Sequence, residues 1–202
     1  MNTASLCSFP SRVFRWLRRF RKRCGYGIHS PYAFQLVSGV IYEKATYYAS
    51  SDFTNDQKHT DLRTKDIRLL FRLANFSEAH SILVVGNHLS SVSQAFRAAR
   101  PSASLKELTP EEFSPDTAPL SVELLYLDHA ATAFPIVETL LSRTSDRTVF
   151  ILRHIHQSKV GRDVWQQLKT DPRVRVTFDL YDFGIACFES RLVKENYIIN
   201  YF

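Results

Sequence analysis

Two histidines two residues apart, His154 and His156, follow an arginine and an apolar run in this chain. Imidazoles titrate near neutral pH, so such a pair can move protons. If the preceding strand continues, period-two spacing puts both rings on one side, and an acid/base role becomes available. The bland reading, and the favoured one on residue types alone, is a structural hydrogen-bonding cluster beside Arg153. Three further clusters carry candidate chemistry: Gly86-Asn87-His88, Glu107, and Asp128-His129. Glu107 is suited to bind both hydroxyls of a ribose. Its neighbours Lys106, Glu111 and Glu112 make plain solvation an equally good reading.

These residues share a position in the pattern. Ile82-Leu83-Val84-Val85 is a short β-branched run that stops at Gly86, and Val92, Ala95, Phe96 and Ala99 then recur at helical spacing. Ser90 or Ser91 is expected to cap that helix. A buried strand feeding a helix through a glycine turn aims backbone N–H groups and the positive helix end at whatever binds beyond the strand. Ser104–Leu108 reads as a second strand ending at the acid. Thr109-Pro110-Glu111-Glu112 reads as a capped helical turn. Strands at 122–127 and 148–152 follow, with helices at 132–143 and 158–170, the last turning Val160, Val164, Trp165 and Leu168 inward. The alternation at 174–180, the Tyr181-Asp182 turn and the run at 183–188 predict a hairpin, and residues 197–202 can add one more strand.

The predicted class is therefore α/β: a Rossmann-like mixed sheet, mostly parallel, with a C-terminal antiparallel hairpin and flanking helices. Ligands of such sheets sit beyond the carboxyl ends of the strands. That brings Gly86, Asn87, His88, Glu107, Asp128 and His129 to one candidate site.

The 202 residues, 45% of them apolar, suffice for one core. We divide them into a basic arm (1–24), a helical segment packed on the core (25–76) and an α/β domain (77–202). Ser30-Pro31 marks a helix start, with a helix to about residue 43. A loop to His59 and a helix at about 60–76 follow. The net charge of +6 is uneven: residues 1–24 hold seven basic residues and no acid, leaving 19 basic against 20 acidic residues elsewhere. Val13, Phe14, Trp16, Leu17 and Phe20 form an apolar stripe on a predicted helix over 11–23. That stripe either packs on the domain or lies on an anionic membrane surface. A neutral remainder argues against a nucleic-acid partner. Three unpaired-looking cysteines and no apolar run near ~18 residues lead us to expect a cytoplasmic protein, peripheral at a membrane if the arm binds one.

Gly25-Tyr26-Gly27-Ile28-His29-Ser30-Pro31, Ile155-His156-Gln157-Ser158, Asp171-Pro172-Arg173-Val174, Phe178-Asp179-Leu180 and Tyr197-Ile198-Ile199, together with the glycine turn, resemble the class I S-adenosylmethionine-dependent methyltransferase fold, and within it a bacterial branch of O-methyltransferases. The resemblance implies S-adenosylmethionine as cofactor at Gly86, Glu107 and Asp128 and a small-molecule acceptor; an active enzyme of this sequence would use His154 or His156 as base, without a metal. Asp128 and His129 match that branch's Asp-Gly or Asp-His pair, and His156 matches one of its histidines.

Three departures bear on activity. The family's glycine-rich loop is reduced to Val84-Val85-Gly86-Asn87-His88-Leu89-Ser90, without its acid and second glycine. Residues 108–121 are too few for a crossover, a strand and a second crossover, so one strand–helix unit is missing. Paired aspartates of the family stand here as Arg153-His154, and an arginine there opposes both a metal and a sulfonium. A pseudoenzyme that keeps the fold for binding or scaffolding is the alternative reading.

Overall fold

The computed structural model describes residues 27–43, 62–87, 89–128 and 134–201. The basic arm, the loop expected up to His59, the start of the helix expected from about residue 60, His88 and His129 therefore lie outside the described residues. A short helix α1 (Pro31–Leu36) runs on into a π-helical turn (Val37–Ile41). Ser30 caps it as expected, its hydroxyl accepting from the Ala33 amide at 3.3 Å. Helix α2 (Thr64–Ser77) opens instead on Arg63, whose backbone N–H donates to the Asp66 carboxylate at 3.2 Å.

The α/β part then runs β1 (Ser81–Val85), α3 (Ser90–Ala99), β2 (Ser104–Leu108), β3 (Leu124–Leu127), α4 (Phe134–Leu141), β4 (Val149–Arg153), α5 (Lys159–Thr170), β5 (Val176–Asp179), β6 (Phe183–Cys187) and β7 (Glu195–Ile198). The seven strands form one sheet in the order β2-β1-β3-β4-β6-β5-β7. β2, β1, β3 and β4 are mutually parallel, and β6 is antiparallel to both β4 and β5. Residues 109–123 contain no strand, so the missing strand–helix unit is a feature of the fold, and β2 forms an edge.

Alternation along the strands supplies two cores, because successive side chains point to opposite faces. Ile82, Val84, Tyr126 and Ile151 face α1, α2 and α3. Leu83, Val85, Leu127 and Leu152 face α4 and α5. The N-terminal helices thus belong to the same core as the sheet. At Gly184 a Cβ would come within 2.6 Å of the Trp165 ring, so only glycine lets α5 seat its tryptophan on β6.

Four expectations need correction. Ser90 and Ser91 do not cap α3: Leu89 is the N-cap residue, no side chain caps it, and Ser91 is buried in the first turn. Val160 is 46% exposed, because the inward stripe of α5 begins at Gly161. The last strand is β7 at 195–198, three residues or so earlier than expected, and it pairs in parallel with β5. Finally, β4 ends at Arg153. His154 adopts φ +60, and its N–H donates to the Asp182 carbonyl at 2.7 Å, so the two histidines do not share a strand face.

Candidate active site

Parallel strands that start in register also end in register. Val85 pairs with Leu108 and with Leu127, and Leu127 with Leu152. The loops after β1, β2, β3 and β4 therefore open at one end of the sheet. β5 joins them there, since Asp179 pairs with Gly184 near the start of antiparallel β6.

A cleft of about 440 Å³ lies between the ends of β1 and β2. Gly86, Asn87 and Glu107 line it, so three of the six predicted binding residues come together. Leu89, Leu108, Thr109 and Glu112 complete the wall and were not anticipated as site residues. Thr109 and Glu112 belong to the capped turn, closed reciprocally: the Thr109 amide donates to the Glu112 carboxylate at 2.9 Å and the Glu112 amide to the Thr109 hydroxyl at 3.3 Å. Hydrogen bonding by the Thr109 amide, and then by its hydroxyl, holds the Glu112 carboxyl below its ordinary range. A short turn thus walls the cleft where a longer crossover is missing.

Gly86 has a specific reason to be glycine. Its φ is +154, and a Cβ there would lie 2.4 Å from Cβ of Asp128 and 3.1 Å from Leu89. Backbone of the β1 loop can thus approach the end of β3 and a ligand closely. Glu107 is exposed and ion-paired. Its Oε1 accepts from Arg97 of α3 at 2.8 Å, which orients the carboxylate at the cleft.

Asp128 is positioned differently from expectation. Its Oδ1 accepts from Arg153 at 3.0 Å and from the Tyr126 hydroxyl at 2.9 Å. Arg153 is 6% exposed, so this is a largely buried pair. Pairing offsets the guanidinium charge, which reduces the repulsion that a lone arginine would exert on a sulfonium. Among the described residues no three ligating side chains gather into a metal site.

His154 and His156 part company. His156 Nε2 lies 2.7 Å from Oδ2 of Asp179, whose other oxygen accepts from the Tyr181 amide at 2.9 Å. The imidazole lies against the Tyr181 ring, with centroids 5.2 Å apart. Tyr181 has φ +77, an uncommon conformation for a bulky residue. Asp179 is the functional candidate missed in the sequence. Its acid lies at the end of a strand, but 23 residues separate it from His156, and only the hairpin brings them together. Nearby, Arg63 bridges Asp66 and Asp182 at 2.7 and 3.2 Å.

No protein-family model matches the sequence, and no curated protein matches it. Solved structures do. A methyltransferase of Podospora anserina, PaMTH1, solved with S-adenosylhomocysteine bound, superposes with a TM-score of 0.54 at 11% identity, covering 91% of this chain and 97% of that one. The O-methyltransferase TomG of Streptomyces achromogenes, involved in tomaymycin synthesis and solved with S-adenosylmethionine, gives 0.52 at 16% identity over 71% of this chain and 91% of its own. The protein has the class I methyltransferase fold, in a diverged form that lacks one strand–helix unit.

Proposed function

We propose that the protein transfers a methyl group from S-adenosylmethionine to a hydroxyl of a small acceptor. The observation that carries this reading is the cleft at Gly86 and Glu107, placed where sheets of this class bind nucleotide-like ligands. Its volume falls within the roughly 300–1,000 Å³ of small-molecule sites. The missing side chain at Gly86, the uncapped start of α3 and the oriented Glu107 carboxylate suit an adenosyl group with its ribose. The solved structures of the same fold with S-adenosylmethionine or S-adenosylhomocysteine bound support that choice.

Bound there, S-adenosylmethionine supplies an electrophilic methyl group. The acceptor oxygen must lose its proton as it gains that methyl. His156 is the residue for the proton: Nε2–H donates to Asp179, leaving Nδ1 as the acceptor nitrogen. Asp179 fixes the tautomer and steadies the imidazolium that forms. The test is to supply methyl-labelled S-adenosylmethionine with a panel of phenols and alcohols. Label should pass to an acceptor with the native chain and fall at least a hundredfold with His156→Asn. A complete lack of transfer across the panel, with the cofactor bound, would favour the second reading.

That second reading is a binding or scaffold protein on the same fold. It draws on the Arg153–Asp128 and Arg97–Glu107 pairs, which occupy both acids internally. The arm at 11–23 would then serve as a membrane contact, seen as salt-sensitive binding to anionic vesicles that disappears with residues 1–24.

A further inference from the structure

A second cavity, of about 460 Å³, lies at the opposite end of the sheet, where β4 begins and β6 ends. The cofactor reading makes no use of it. Its floor is aromatic and neutral. Tyr32 of α1 and Phe76 of α2 meet there at 5.7 Å between ring centroids, beside Cys187. Burial raises the pKa of both the Tyr32 hydroxyl and the Cys187 thiol, so neither contributes charge at neutral pH.

Charged side chains of both signs also line the cavity. Glu189 and Asp146 supply carboxylates, and Arg147 and Arg191 supply guanidiniums. Asp146 is engaged by the Ser190 hydroxyl at 2.6 Å, and Arg147 leans toward Glu123 at 3.9 Å. Glu189 and Arg191 remain as the pair of opposite charge best placed to meet a ligand. The negative end of α2, at Ser77, also reaches this cavity and favours a cationic group. Aromatic faces favour the same cation.

We propose that this cavity binds a zwitterion of amino-acid type with an apolar body, its ammonium toward Glu189 and the aromatic floor, its carboxylate toward Arg191. A purely anionic ligand would meet Glu189 and a helix C-terminus, and a purely cationic one would meet Arg191. Only a molecule carrying both charges satisfies both.

The test uses three probes that share a phenyl body: L-phenylalanine, 2-phenylethylammonium and 3-phenylpropanoate. They are titrated into the full-length protein and followed by amide NMR. The expected result is that phenylalanine binds at least tenfold tighter than either half-molecule, shifting the signals of Gln35 and Ser77 rather than those of Gly86 and Leu108. Arg191→Gln should abolish its advantage over 2-phenylethylammonium, and Glu189→Gln its advantage over 3-phenylpropanoate. Equal binding of all three probes, shifts confined to the Gly86 cleft, an advantage that survives both substitutions, or no shift at ten millimolar probe would each overturn the proposal.

Discussion

Asp179 holds His156 at 2.7 Å across the turn of the C-terminal hairpin, and its second oxygen is held in turn by the Tyr181 amide. The imidazole is thus oriented by a carboxylate that is itself oriented. Asp179→Asn keeps an oxygen for the Tyr181 amide but removes the charge that steadies an imidazolium. Removing a positioned general base typically costs ~10²–10⁴ in rate. We expect His156→Asn to fall in that range and Asp179→Asn to fall short of it. The double variant should be no slower than His156→Asn, because the two act as a unit. Affinity for S-adenosylhomocysteine should stay unchanged in all three. Initial rates with titration of each variant check this, and a double variant slower by the product of the two single losses would contradict it.

Arg153 and Asp128 form a pair with little solvent, Arg153 having 7% and Asp128 22% of its side chain exposed. Removing one member of such a pair strands the other, at a cost of ~3–5 kcal/mol. Arg153→Met should therefore lower the urea midpoint substantially. Arg153→Met combined with Asp128→Asn should recover part of the loss, since the stranded carboxylate is then gone and Tyr126 keeps an oxygen to donate to. Additive losses in the double variant would show that the pair contributes no coupling.

Cys187 makes stability fall at alkaline pH. Burial pushes its thiol up to about 12, with a hydrogen bond to Tyr32 pulling weakly the other way. An unfolded thiol ionises near ~8.5. The native chain therefore retains a proton that the unfolded chain has lost, and stability is fully present below about pH 8.5 and is lost as pH rises toward 12. From about pH 9 to 9.5, where most unfolded tyrosines still carry their proton, this one group contributes a slope of ~1 kcal/mol per pH unit. Cys187→Ala should flatten the stability profile in that window. Urea unfolding at several pH values measures it, and parallel profiles for the two chains would refute the assignment.

Local pattern made much of this molecule legible. The run Ile82–Val85 ending at Gly86, the strand Ser104–Leu108 and the Ser30-Pro31 helix start were all readable, because each depends on neighbours within a turn or a strand. The absent strand–helix unit was readable as a length too short to hold it. What escaped was set by contacts distant in sequence. His154 leaves the strand because its amide meets the Asp182 carbonyl, and its positive φ defeats the period-two argument that placed it beside His156. Asp179 read as one more residue of an alternating strand. Arg97 gave no sign of reaching Glu107, since a helix and the following strand had to be packed before their side chains could meet. The meeting of the β1 and β2 ends at Gly86 and Glu107 follows from topology, whereas the cleft wall at Thr109 and Glu112 depends on how a shortened connection folds back.

Whether the cleft at Gly86 and Glu107 holds S-adenosylmethionine is decided by calorimetric titration with that compound and with S-adenosylhomocysteine. Both should bind at micromolar strength, Glu107→Ala should weaken both, and Gly86→Ala should abolish both, because the added methyl would lie against Cβ of Asp128 at 2.4 Å. No heat and no thermal shift at millimolar ligand, with the native chain folded, would contradict the claim and leave a methyltransferase fold kept for another purpose.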